Sequence, residues 1–190
     1  MLILGSTSPY RRALLERLGL PFECVPPGVD ESAIAARGDA PRILAERLAF
    51  EKAMAVADRF PDATVIGSDQ MAVIDGQILG KPGGVSAACS QLALLSGRTH
   101  ELITALCVIQ NGRVIPHTDI TRLTMRRLAA QEIQRYVQAD QPVDCAGAYK
   151  IECLGVTLFE RVESADPTAI TGLPLMALTS ILRELGYSIP

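Results

Sequence analysis

Six charged side chains in this 190-residue chain stand in settings suited to phosphate chemistry: Arg11, Arg12, Lys52, Lys81, Glu31 and Asp69. The two arginines follow the hydroxyl-rich turn Ser6-Thr7-Ser8 and Pro9-Tyr10. Asp69 lies in Ser68-Asp69-Gln70, immediately after an apolar run, and Lys81 lies in the loop Gly80-Lys81-Pro82-Gly83-Gly84. In α/β folds, ligands bind where buried strands end. Four cations suit a nucleoside triphosphate of roughly −4 charge, and two carboxylates can hold a hard divalent cation and orient water. Neither the P-loop lysine motif nor the dinucleotide glycine fingerprint is present, which argues against those mechanisms. On residue types and spacing alone the reading stops at a polyanion-binding cleft, with Mg2+ an open option.

The elements that must position these groups are legible in outline. Leu2–Gly5 reads as a short buried strand, and Ser8-Pro9 carries the N-cap and first-turn signature of a helix that runs to a stop at Gly19. Arg11 and Arg12 fall in that helix's first turn, where cations oppose the dipole. Either they are merely solvated there, or they join Ser8 and the free N–H groups in receiving a phosphate. Residues 40–59 read as a helix in which Lys52 borders the apolar stripe, so its ammonium either snorkels outward or meets an anion in a cleft.

Residues 63–67 read as a buried strand with Ser68-Asp69-Gln70 at its end, followed by a hairpin over 71–79 turning at Asp75-Gly76. Residues 85–95 read as a helix closed by Gly97. Strands over 99–110 and 113–125 flank the hairpin signal Asn111-Gly112. His100 and His117 in those strands read as structural. A polar-faced helix over 129–138, a strand reaching about residue 160 and a closing helix to Leu185 complete the chain. Cys145, without a nearby His, reads as core. Strands, helices and two hairpins together predict a mixed sheet.

Composition excludes other classes. The chain is 48% apolar and 21% charged, which fits one domain over residues 1–190. No apolar run approaches the length of a membrane span. The N-terminus lacks a basic lead, and the five scattered cysteines form no CxxC pair, so the expectation is a cytoplasmic protein with reduced thiols. A net charge of −3 argues against a binder of nucleic acid polymers. Arginine outnumbers lysine 15 to three, so Lys52, Lys81 and Lys150 are either leftovers of codon bias or chosen point charges.

Six segments, in order, carry a resemblance: Ser6-Thr7-Ser8-Pro9-Tyr10-Arg11-Arg12, Val29-Asp30-Glu31, Phe50-Glu51-Lys52-Ala53, Gly67-Ser68-Asp69-Gln70, Gly80-Lys81-Pro82 and Thr171-Gly172-Leu173-Pro174. Together they resemble the Maf family of nucleotide pyrophosphatases over nearly the whole chain. The resemblance implies an elongated α/β fold with two lobes around a cleft, related to inosine-triphosphate pyrophosphatases, and a homodimer. It implies hydrolysis of a nucleoside triphosphate between the α and β phosphates with a divalent metal, Mg2+ or Mn2+. By position, Asp69 matches the general base, Ser8, Arg11, Arg12, Lys52 and Lys81 the phosphate-binding set, and Glu31 with Asp69 the metal-associated acids. The family is also associated with septum formation, so a nucleotide-sensing regulator of cell division is the reading from another class.

Three positions separate the family's branches. The dTTP/UTP branch resembles Arg–Thr–Gln where this chain has Tyr10, Gln70 and Glu152, and the 7-methyl-GTP branch resembles Trp–Gln–Glu. Two positions match the latter and Tyr10 keeps an aromatic ring. A carboxylate such as Glu152 can accept the N1–H and exocyclic amine of guanine and offset the charge of N7 methylation. An aromatic face favours a stacked cation, whereas thymine and uracil lack that donor pair. The bland alternative pairs Glu152 with Lys150 on one face of a strand.

Overall fold

The computed structural model describes all residues, 1–190. Three buried residues, Leu2–Leu4, form β1, which pairs in parallel with β2 (Glu23–Cys24) on one side and β3 (Thr64–Ile74) on the other. In that register Leu2, Ile3 and Leu4 face Thr64, Val65 and Ile66. β3 turns at Asp75-Gly76 into antiparallel β4 (Gln77–Leu79). β5 (Thr99–Gln110) turns at Asn111-Gly112 into β6 (Arg113–Met125). Both turns place two residues at positive φ (50° and 76°, 49° and 75°), the left-handed pair that hairpins of this twist favour. β7 (Phe159–Glu163) runs antiparallel to β6, and the sheet order is β2-β1-β3-β5-β6-β7 with β4 on β3.

The helices are α1 (Pro9–Glu16), α2 (Glu31–Ala35), α3 (Pro41–Ala57), α4 (Val85–Leu95), α5 (Ala130–Asp140) and α6 (Leu175–Glu184). None is long and apolar enough to cross a membrane. The mixed α/β class and both hairpins agree with the sequence reading. Two compact units emerge: residues 1–70, 104–119 and 166–190 form the first, and residues 71–103 and 120–165 the second. In the first, Leu14 and Leu15 of α1 and Leu178, Ile181 and Leu182 of α6 bury against Leu4, Ile66 and Val108 of the strands. The i, i+3, i+4 spacing in α6 puts its three on one stripe, and burying each such side chain is worth about 1.5–3 kcal/mol.

Two expected boundaries differ. The strand expected to end at Gly67 continues through Ser68-Asp69-Gln70 to Ile74. Its polar triplet is accommodated by side-chain partners rather than by a turn. The strand expected to reach residue 160 is instead a 3-10 turn over Leu154–Leu158, with β7 beginning only at Phe159. Gly155 explains this, since it lies so close against the Lys150 backbone, with its N–H donating to the Lys150 carbonyl (3.0 Å), that the chain folds back there.

The second unit buries a titratable group inside an aromatic cluster. His100, 2% exposed on β5, shares a 2.8 Å hydrogen bond between Nε2 and the Tyr149 hydroxyl, while its Nδ1 has no partner. Phe159 lies 6.0 Å from the imidazole and 4.8 Å from the Tyr149 ring. Burial pushes the His100 pKa from 6.5 to about 4. Between those values the unfolded chain holds the extra proton, so stability is complete above about pH 6.5 and declines as pH falls toward 4. The expected loss from this residue is about 3 kcal/mol by pH 4. Denaturant titrations at pH 7.5 and 4.5 should show a larger acid loss in the native chain than in His100→Gln, and equal losses would refute this assignment.

Candidate active site

The site begins with two glycines that let a helix lie on a strand. A Cβ on Gly67 would overlap the Ala49 carbonyl oxygen and sit 2.6 Å from the Ala53 nitrogen; one on Gly5 would come within 3.2 Å of the Lys52 carbonyl. Backbone contact at that range brings the middle of α3 directly over β3 and the end of β1. Lys52, on α3, is therefore 6% exposed and neither snorkels nor faces bulk water. Its Nζ donates to Asp69 Oδ1 at 2.6 Å and lies 2.7 Å from Glu31 Oε1. An ammonium this deep requires paired charge and hydrogen bonds, and two carboxylates supply them.

Glu31 reaches Lys52 because Asp30 starts α2 immediately before it. Asp30 Oδ1 accepts from the N–H groups of Ser32 and Ala33 (both 3.1 Å) and from the Ser32 hydroxyl (2.6 Å), which lowers its own pKa. Glu31 is then the first helical residue, where the dipole favours a negative charge. Its side chain remains 57% exposed, whereas that of Asp69 is 10% exposed.

Arg11 completes the charged group from α1. Ser8 caps that helix, its hydroxyl oxygen accepting from the Arg11 N–H at 3.4 Å and its own N–H donating to Ser6 Oγ at 3.1 Å. The Ser8 O–H stays available as a donor. The Arg11 Nε donates to the Gly172 carbonyl at 2.9 Å. Burial pulls this guanidinium below its usual pKa, while the nearby charges of Asp69 and then Glu31 pull back.

The remaining candidates divide. Arg12 pairs with Glu16 one turn on (3.0 Å), with 64% of its side chain exposed. Tyr10 is half-buried on α1. Gln70 has its amide nitrogen committed to Ala169 O (2.8 Å), Ile170 O (3.0 Å) and Thr104 Oγ1 (3.0 Å), leaving the amide oxygen for any ligand. In the second unit, Lys81 is exposed in the loop before α4, and Glu152 is exposed in the turn before the 3-10 segment. The pairing of Glu152 with Lys150 does not occur. No strand carries them, and Lys150 Nζ lies 3.5 Å from Asp144. Cys145 is half-buried beside Asp144 rather than in the core (3.5 Å).

Residue types alone passed over Ser68 and the segment around residue 172. Ser68, fully buried, donates its hydroxyl to Gly172 O at 2.9 Å. Asp166 caps the 3-10 turn Pro167–Thr171 through Thr168 and accepts from Met176 N at 2.7 Å, so it ties that turn to the start of α6. The available signals were the Gly67-Ser68-Asp69-Gln70 and Thr171-Gly172-Leu173-Pro174 motifs themselves.

No three His, Cys, Asp or Glu side chains gather to hold a metal by themselves. Glu31 and Asp69 nonetheless aim one oxygen each at a single cationic nitrogen. That donor set fits a hard cation of the kind bound by one or two carboxylates with substrate phosphates completing its shell.

The family model described as Maf-like protein matches residues 1–185. The chain is 51% identical over 189 residues to the 7-methyl-GTP pyrophosphatase of Xanthomonas axonopodis pv. citri (strain 306), covering 100% of this chain and 98% of that protein. It is 51% identical to the protein of the same name from Cupriavidus pinatubonensis (98% and 94% covered) and 52% identical to that from Bordetella avium (97% and 93%). Among solved structures, a nucleoside-triphosphatase / dITP/XTP pyrophosphatase from Mycobacterium abscessus aligns at TM-score 0.45 and 17% identity, covering 67% of this chain and 75% of that one, a likeness too slight to bear weight.

The helix–strand contact that seats Lys52 yields a direct test. Gly67→Ala forces a Cβ into the α3 backbone, and overpacking of this kind costs about 1–3 kcal/mol or more. The melting temperature should fall by about 3–10 °C. Gly80→Ala, where a Cβ meets nothing within 4 Å, should leave it unchanged. Equal melting temperatures for the two variants would show that α3 does not depend on Gly67.

Proposed function

The chain belongs to the Maf-like protein family, and on that footing we propose that it is a nucleoside triphosphate pyrophosphatase whose substrate is 7-methyl-GTP. The observation that carries the proposal is the buried Lys52 ammonium held between Asp69 and Glu31, with Arg11 beside them. The names of its 51%-identical, full-length relatives support the same reading.

In this reaction the oxygen of a water bonds to phosphorus as the P–O bond between the α and β phosphates breaks. The departing phosphate oxygen takes the electron pair, and the Asp69 carboxylate takes the proton from the water. Asp69 suits that role because its backbone is fixed in β3 and one of its oxygens is anchored by Lys52. Arg11, with its Nε held by Gly172, directs its terminal nitrogens to phosphate oxygens, and the Ser8 O–H adds a donor. Lys52 shifts part of its attraction from carboxylates to phosphate as charge moves onto pyrophosphate. Arg12 and Lys81 supply further positive charge from solvent-exposed positions. A divalent metal, Mg2+ or Mn2+, held by Glu31 and Asp69 would offset phosphate charge and polarise the phosphoryl group when bound.

Base choice falls to Tyr10, Gln70 and Glu152. Glu152 is unburdened by an ion pair and accepts the two donors of a guanine edge, the Gln70 amide oxygen takes one further donor, and Tyr10 offers a ring face to the methylated, cationic base.

Pyrophosphate release from a panel of nucleotides, with and without Mg2+ or Mn2+, tests the proposal. Turnover should be greatest with 7-methyl-GTP, and Asp69→Asn should lower it by at least about 100-fold, within the span of general-base contributions, while nucleotide binding persists. Preference for dTTP or UTP would assign the chain to the other branch, and binding without turnover would make it a sensor. Separately, Glu152→Gln should reduce the preference for 7-methyl-GTP over UTP by about tenfold, as the loss of one charged acceptor implies; an unmoved preference would remove Glu152 from base recognition.

A further inference from the structure

Resting on the phosphate-binding role of Arg11 in that reading, we propose that Ser68 is a positioning residue that aims Arg11 through the carbonyl oxygen of Gly172. That oxygen accepts two hydrogen bonds of equal length, 2.9 Å from Ser68 Oγ and 2.9 Å from Arg11 Nε. A carbonyl has two lone pairs, and both are in use. Ser68 is 0% exposed, so its hydroxyl touches no ligand and acts only through the group it holds.

The surroundings make Gly172 a fixed anchor. Its N–H donates to Ala169 O at 2.9 Å, and Ala169 O also accepts from Gln70 Nε2 and Thr104 Oγ1. Gly172 has φ +110°, a conformation that side chains rarely adopt, and a Cβ there would stand 3.4 Å from Arg11 Nε and 3.6 Å from Arg11 Cγ. The bare glycine thus admits the arginine stem against the loop, and the carbonyl grips it by Nε. With Nε held, the planar fork has its direction set and its two terminal nitrogens free for bidentate contact with phosphate. Ser68 closes the arrangement. Without its O–H the peptide plane of Gly172 loses one of two restraints, and the guanidinium loses its bearing.

A thermodynamic cycle separates positioning from plain structural support. Inorganic tripolyphosphate is titrated calorimetrically into the native chain, Ser68→Ala, Arg11→Lys and the double variant, with melting temperatures measured alongside. Lysine keeps the charge at position 11 but has no Nε for the carbonyl to grip. Ser68→Ala should weaken tripolyphosphate binding about tenfold in the native background, the scale of one charge-assisted contact, and less than twofold in the Arg11→Lys background. Equal losses in both backgrounds, or no loss in either, would overturn the proposal. If Ser68→Ala does not fold, Ser68→Cys, which keeps a weak donor of similar size, takes its place with the same expected pattern. Coupling to Arg11 without nucleotide turnover would leave the positioning role standing and refute the hydrolase reading. Turnover with no coupling, or with no tripolyphosphate binding, would do the reverse, and absence of both turnover and tripolyphosphate binding would refute both.

Discussion

The near-contact of two backbones at Gly67 governs the rest of this site. α3 can place an ammonium beside Asp69 only if its axis comes closer to β3 than any side chain at position 67 allows. Once it does, Lys52 is buried and must be neutralised, because an isolated charge in a low-dielectric interior is unsupportable. Asp69 and Glu31 answer that demand from a strand and from a helix start. Such an arrangement is weak evidence of stabilisation, since well-packed apolar groups often do as well as a buried ion pair. Its presence is better explained by chemistry, where a charged cluster held in advance needs little reorganisation as charge develops on a substrate.

The same economy of position appears in the middle of β3. A polar triplet inside an eleven-residue strand is tolerated because each member has an assigned partner: Ser68 the Gly172 carbonyl, Asp69 the Lys52 ammonium, Gln70 the carbonyls of Ala169 and Ile170. Three neighbouring residues thereby tie the strand to α3 and to the 3-10 turn that leads into α6. The turn in turn grips Arg11 of α1. Four segments separated by up to about 160 residues are joined through one stretch of strand, so a change in any of them is felt at Asp69. For Gln70 this has a specific consequence, because its amide nitrogen is already committed and only its oxygen is left without a partner in the loop.

Much of this was legible in the chain itself. Local signals located the elements well: Ser8-Pro9 for α1, Asn111-Gly112 for the β5–β6 hairpin, and residues 85–95 for α4. They succeeded because caps and left-handed turns are decided by a few adjacent residues. They failed where distant contacts decide. The strand continues past Gly67 because partners from α3 and the 3-10 turn satisfy Ser68, Asp69 and Gln70, and periodicity cannot see them. The segment after Lys150 folds back rather than extending because Gly155 docks on the Lys150 backbone.

For the chemistry, residue type and spacing determined the charged groups and that they suit a polyanion, and the resemblance of six motifs in order pointed to the family. Whether Lys52 would snorkel or turn inward was undecidable from its position at the edge of an apolar stripe. Tertiary packing settled it, as the depth of a lysine depends on how closely its helix approaches the sheet and on whether carboxylates from elsewhere wait there. Ser68 is the sharper case. As a residue type it is unremarked, and its partner lies 104 positions away, so only the folded chain could reveal that it and Arg11 share one carbonyl oxygen.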